Sequence, residues 1–314
     1  MKGKKIIYTI FFIFLTYCIL TNSQLSLYYA LSGLQLWYSK MIPSLLPFMI
    51  ISGLMIRLHL TEGFSSLIYP IINPLFKVSK NACYVIMLGF LCGFPMGARI
   101  IADLYLRGML SRREAEFLLS FCNNIGPVYF MSFVLPLLRR ELFLPYVLGM
   151  YGLPFLYGFI LRKTLYRDIS TINHRYTTEN MLVACSSHQK ESLLYETDDA
   201  ITSSIHSILS LGGYMVLFNL LNLIPHVLTG RPSVLLAPLF EISGGLNILS
   251  HRLPLYTLLI LPFGGLSCIA QTYSCIRDTD LSIAKYTVHK LILTSLTAAY
   301  YLLWSNLLPE SFLR

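Results

Sequence analysis

Apolar residues in this chain come in windows, and the windows decide what it can fold into. Residues 6–20, 43–56, 142–160, 205–224 and 253–270 each approach the roughly 20 apolar residues that a membrane-spanning helix needs. Of 314 residues, 55% are hydrophobic and only 12% are charged, whereas a soluble domain carries about 25% charged residues. The expectation is an all-α polytopic membrane protein with about eight hydrophobic spans, in a bacterial cell membrane. Lys2, Lys4 and Lys5 precede the first window, but no small-residue cleavage site follows it. That pattern reads as a retained first helix with its lysines in the cytoplasm.

A net charge of +9 invites a nucleic-acid reading, which the distribution excludes. Basic residues stand in ones and twos at apparent helix ends, as at Arg112-Arg113, Arg139-Arg140 and Arg162-Lys163, where they anchor in lipid headgroups. The expected partners are therefore the bilayer and a small solute, with a homo-oligomer left open. Seven cysteines show no metal spacing and sit mostly in apolar segments, where they act as small hydrophobes. Neither a metal site nor a cofactor is expected.

The one long polar stretch, 162–199, divides the chain into hydrophobic halves, 1–161 and 200–314. The halves resemble each other in three places, in the same order. "PSLLPFMIISGLM" from Pro43 faces "HSILSLGGYMVLF" from His206, and "NPLFKVSK" from Asn73 faces "APLFEISG" from Ala237. "GFPMGARIIADLYLRGMLS" from Gly93 faces "GGLSCIAQTYSCIRDTDLS" from Gly264. Three collinear matches point to an internal duplication, and duplicated membrane proteins are often built as inverted-topology repeats.

Residues 83–106 would pass as one span, yet Gly93, Pro95 and Gly97 interrupt them, and Arg99 and Asp103 follow. Backbone freed by such a break cannot face lipid, where an unpaired amide costs several kcal/mol. It must be buried in protein or line a wet cavity. The second half is broken correspondingly at Gly264 and Gly265, with Ser267 and Gln271 in place of the charges, and paired breaks are the best pointer to a transport site. A third irregular piece, "FCNNIGPVYF" (121–130), follows a helix whose start is marked by Ser111 and Glu114, a capping box. Its Asn123 and Asn124 either bind a ligand or satisfy the broken backbone.

These residues carry a family resemblance. "GFLCGFPMGARIIADLYLRGMLSRREAEFLLSFCNNIGPVYF" (89–130) and "LPFGGLSCIAQTYSCI" (261–276) resemble the sporulation integral membrane proteins of endospore formers. These are members of the nucleoside-recognition, or Gate-domain, superfamily, which includes concentrative nucleoside transporters and the membrane part of ferrous-iron transporters. The resemblance runs from about Trp37 to Trp304. It implies a stage V sporulation transporter that moves dipicolinic acid out of the mother cell across the outer forespore membrane. It implies no particular ligand residues.

Dipicolinate is a flat dianion, and a guanidinium offers the planar pair of donors that a carboxylate accepts. Arg99 either grips such a carboxylate or pairs with Asp103, its i,i+4 neighbour. Helix N-termini at the two breaks add amide donors. The candidate binding set is Gly93, Pro95, Gly97, Arg99, Asn123, Asn124, Gly264, Gly265, Ser267 and Gln271. Glu241, which replaces Lys77 of the first repeat, reads as an interfacial carboxylate or one that couples transport to protons. A nucleoside or other small-solute carrier would rely on Asn123, Asn124 and Gln271 instead, and a structural anchor would need no broken helices. "GGLSC" (264–268) with His289 is a weak echo of an intramembrane serine protease, and no HExxH, GxSxG or P-loop occurs. No catalytic residue is assigned.

Overall fold

The computed structural model describes residues 2–138, 143–169, 193–249 and 253–307. Regular structure among them is entirely helical. Helix α1 (Lys2–Thr21) turns at Asn22 into α2 (Ser23–Arg57), a helix of 35 residues with a wide π turn at Trp37–Met41. Then come α3 (Tyr69–Phe76), α4 (Lys80–Cys92), α5 (Met96–Leu106) and α6 (Arg112–Leu119). Short α, π and 3₁₀ turns lead from Pro127 toward α7 (Phe143–Lys163). The second half holds α8 (Leu193–Thr229), α9 (Ala237–Phe240), α10 (Ile242–Leu249), α11 (Pro254–Ile260), α12 (Gly265–Ile276) and α13 (Ile283–Leu307).

Local chemistry sets the boundaries. The Ser79 hydroxyl caps α4 by accepting from the Ala82 amide at 3.2 Å, and the capping box at Ser111 and Glu114 starts α6 as expected. The joint between α3 and α4 bends by 102° at Lys77, whose φ of 47° is left-handed. In the second half, α9 is followed by a joint at Glu241, then by α10 and α11, the glycine break and α12, so the order of the first half is not reproduced element for element.

Among the described residues, five helices are long and apolar enough to cross a membrane, or six if α3 and α4 form one bent span, against an expectation of about eight. The difference has a physical cause. Two apolar windows merge into α2, while the run at 83–106 is cut into helices of 13 and 11 residues. At about 1.5 Å per residue neither crosses alone. The 25-residue α13 is long enough but carries Lys285, His289 and Lys290.

The polar stretch is structured at both ends, since α7 includes Arg162 and Lys163 and α8 begins at Leu193. Residues 170–192, with Cys185, His174 and His188, lie outside the described ones, as do Arg139, Arg140 and His251.

One end of the molecule is rich in arginines and lysines, many of them paired with carboxylates. There Arg57 pairs with Asp199 and, at 3.7 Å, with Glu196. Arg112 meets Asp280 at 3.2 Å and Lys285 meets Glu116 at 2.9 Å. Arg113 donates to Asp168 at 3.0 Å and holds that carboxyl below the usual carboxylate range. Buried Arg162 donates to the carbonyls of Phe76, Tyr166, Lys77 and Ile169, which fixes α7 against the α3–α4 joint.

Candidate functional site

The first break is an interlock of backbone. Gly93 ends α4 with φ of +81°, and a Cβ there would lie 2.2 Å from the Gly126 nitrogen. A Cβ on Gly97 would lie 2.4 Å from the Cys122 carbonyl oxygen. Both glycines are therefore required by the close approach of the segment containing Asn123 and Asn124. That segment satisfies the freed backbone. The Phe94 amide donates to the Asn124 carbonyl at 2.7 Å, and the Ala98 amide to Asn123 Oδ1 at 3.4 Å.

Asn123 and Asn124 are buried and fully engaged. Asn123 Nδ2 donates to Thr272 Oγ1 at 2.9 Å and to the Tyr286 hydroxyl at 3.1 Å, tying the first break to α12 and α13. Asn124 Nδ2 donates to the Phe121 carbonyl at 2.6 Å. A cation absent from the sequence reading completes the knot. Lys290, buried on α13, donates to the Asn123 carbonyl at 2.8 Å and to Asn124 Oδ1 at 3.1 Å. Its ammonium also stands 4.3 Å from the Phe94 ring centroid. The sequence signal was a lysine beside His289 in an otherwise apolar helix.

The second break meets the first. Gly264 and Gly265 both have left-handed φ, and a Cβ on Gly264 would strike the Phe94 ring at 2.8 Å. Ser267 is buried and its hydroxyl accepts from Gln271 Nε2 at 2.9 Å.

Two spaces lie beside this junction. The larger, about 540 Å³, is polar and reaches toward the basic end; Pro95, Arg99, Asp103, Gln271, Arg277 and Asp278 line it. Its opposite wall is a stripe of α8 formed by Ser203, Ser207, Ser210 and Tyr214. Spacings of three and four put those hydroxyls on one helix face, a pattern legible in the sequence that went unread. The smaller space, about 50 Å³, is a narrow apolar cleft among Phe48, Phe94, Tyr129, Met215, Glu241 and Cys268. It has room for a few waters. Leu211 and Gln271 border both spaces and form the wall between them.

Arg99 is the buried cation of the larger cavity, which Arg277 also lines. Its side chain is only 7% exposed, with Nη2 2.9 Å from Ser203 Oγ and Nη1 3.3 Å from the Ser203 carbonyl. Asp103 lies 3.7 Å from Nε and is 37% exposed, so the pair is loose. Of the expected set, Pro95, Arg99 and Gln271 face the cavity. Gly93, Gly97, Asn123, Asn124, Gly264, Gly265 and Ser267 build the junction behind it.

Glu241 is buried in the cleft wall. Its Oε1 accepts from the Ser243 amide at 3.1 Å, and its Oε2 from the Gly244 amide at 2.6 Å and Asn219 Nδ2 at 3.1 Å. It is an internal helix cap, which corrects an interfacial placement.

Residues 38–142, which contain α3 to α6 and the first break, match the family model Gate, described as nucleoside recognition. The chain is 27% identical over 343 aligned residues to the sporulation integral membrane protein YlbJ of Bacillus subtilis (strain 168), covering 98% of this chain and 84% of that protein. No solved structure matches.

Proposed function

We propose that this chain, which matches the Gate model over residues 38–142 and is similar along most of its length to a sporulation integral membrane protein, carries a small organic anion across the membrane. Dipicolinic acid is the cargo that best fits this reading, moved across the outer forespore membrane during sporulation. The observation that carries the proposal is the placement of Arg99. A buried guanidinium, at the broken helices and in the wall of a roomy polar cavity, has no full-strength acidic partner. Guanidinium donors satisfied only by a serine and a loose carboxylate are free to exchange Ser203 for a substrate carboxylate.

Transport in this reading is alternating access between the two spaces. The cavity at the basic end receives the anion, the Leu211–Gln271 wall opens, and the narrow cleft widens as the junction at Phe94 and Gly264 shifts. The two halves then serve as inverted repeats that rock about that junction. Proteoliposomes loaded with labelled dipicolinate test the cargo, with protein-free vesicles as the blank. A nucleoside carrier is the second reading, favoured by Gln271, an amide exposed to both spaces and suited to a nucleobase edge. Uridine or adenosine counterflow without dipicolinate flux would select it. No flux of either would favour a structural membrane protein.

A further inference from the structure

An anion leaving the Arg99 cavity must next pass a carboxylate. Glu241 lines the cleft on the far side of the Leu211–Gln271 wall. Its surroundings hold no compensating charge: among the described residues Glu241 forms no ion pair, and its partners are two backbone amides, the Ser243 hydroxyl and Asn219 from α8, all neutral. The ionisable groups near it from other elements are the Tyr129 hydroxyl, which donates to Ser243 Oγ at 3.1 Å, and the Cys268 thiol of α12. These are a phenol and a thiol, not cations. From the elements around α10, Tyr29 of α2 is bound to His226, Tyr256 of α11 donates to the Leu235 carbonyl, and Lys290 of α13 is held by Asn123 and Asn124.

An ionised carboxylate in an apolar cleft repels a second anion strongly, because little water screens the pair. Its donors are all neutral, so a proton on the carboxylate would cancel its charge, and the Ser243 hydroxyl, which also donates to Glu241, can turn from donor to acceptor to admit that proton. We propose that Glu241 is the proton site of the transport cycle, and that the substrate anion enters the cleft only when Glu241 is protonated. A dianion then moves with one proton and carries one net negative charge instead of two.

This rests on the anion-carrier reading, so its test needs one readout that depends on flux and one that does not. Infrared difference spectra of the purified, reconstituted protein between acid and neutral pH should contain a buried carboxylic-acid band that E241Q removes. Absence of that band, or its persistence in E241Q, overturns the proton site whatever the cargo is. In proteoliposomes, dipicolinate uptake by the native protein should rise several-fold when the substrate side is made acid. In E241Q, uptake should continue with that dependence abolished. An equal dependence in E241Q and the native protein also overturns the proposal. A native protein that moves no dipicolinate but shows the infrared band refutes the cargo and leaves the proton site standing. Should E241Q fail to insert, E241D keeps the carboxyl on a shorter arm and should shift the pH midpoint of the band; an unshifted midpoint counts against Glu241.

Discussion

Arg99 separates a role of charge from a role of shape. If it grips a carboxylate, Arg99→Lys keeps the charge but loses the planar pair of donors, so transport should weaken without vanishing. Arg99→Gln should cost on the order of 2–4 kcal/mol in apparent affinity, as a buried charge-assisted contact does. The double variant Arg99→Gln, Asp103→Asn should restore insertion without restoring flux; normal flux from it would retire Arg99 as a substrate residue. Arg99 was legible in the sequence because a charge directly after a glycine break in an apolar run is expensive and needs a reason. Its actual partner was not, because Ser203 lies 104 residues away and only the fold brings the two together. The role of Lys290 was hidden for the same reason, since the Asn123 and Asn124 oxygens that hold it belong to a distant segment, whereas Glu241 is held mainly by Ser243 and Gly244 nearby in the chain.

Among the elements, the broken helices do the positioning, and their glycines report how closely they pack. Gly97→Ala would force a methyl to within 2.4 Å of a backbone carbonyl oxygen, an overpacking that costs about 1–3 kcal/mol or more. A lowered melting temperature in detergent should follow. Gly213→Ala, with open space at its Cβ, should be neutral or mildly stabilising. The cysteines supply native probes of the two spaces. Cys275 lines the polar cavity, and Cys92 and Cys268 line the cleft, whereas Cys18 and Cys122 are fully buried. A membrane-impermeant maleimide should therefore label Cys275 readily and Cys92 and Cys268 when the cleft opens. Labelling of Cys18 or Cys122 would mean that the packing differs in the membrane. The position of each break could be read from Gly and Pro spacing. The 35-residue α2 could not, because nothing in its apolar run marks where one window ends and the next begins.

For the whole molecule, the charge asymmetry fixes which way it faces. Arg57, Arg107, Arg112, Arg113, Arg162, Lys163, Arg277 and Lys285 all lie at helix ends, where the ion pairs with Asp199, Asp280, Asp168 and Glu116 gather. Cytoplasmic loops carry the excess of Lys and Arg, so that end, the mouth of the Arg99 cavity and the segment between α7 and α8 should be cytoplasmic. The first helix agrees: Cys18, near its end, packs with Tyr29 and Leu223 at the opposite pole, which sends Lys4 and Lys5 toward the basic end. An epitope inserted between α7 and α8 should be cut by protease only in inside-out vesicles, and cutting in intact cells would reverse the assignment. The account as a whole stands on transport of an anion through the Arg99 cavity. The direct measurement is flux of labelled dipicolinate into liposomes containing the native protein, the Arg99→Gln, Asp103→Asn variant, or no protein. Saturable dipicolinate uptake by the native protein alone is the expected result. Uptake indistinguishable from protein-free liposomes, or undiminished in the variant, would contradict it.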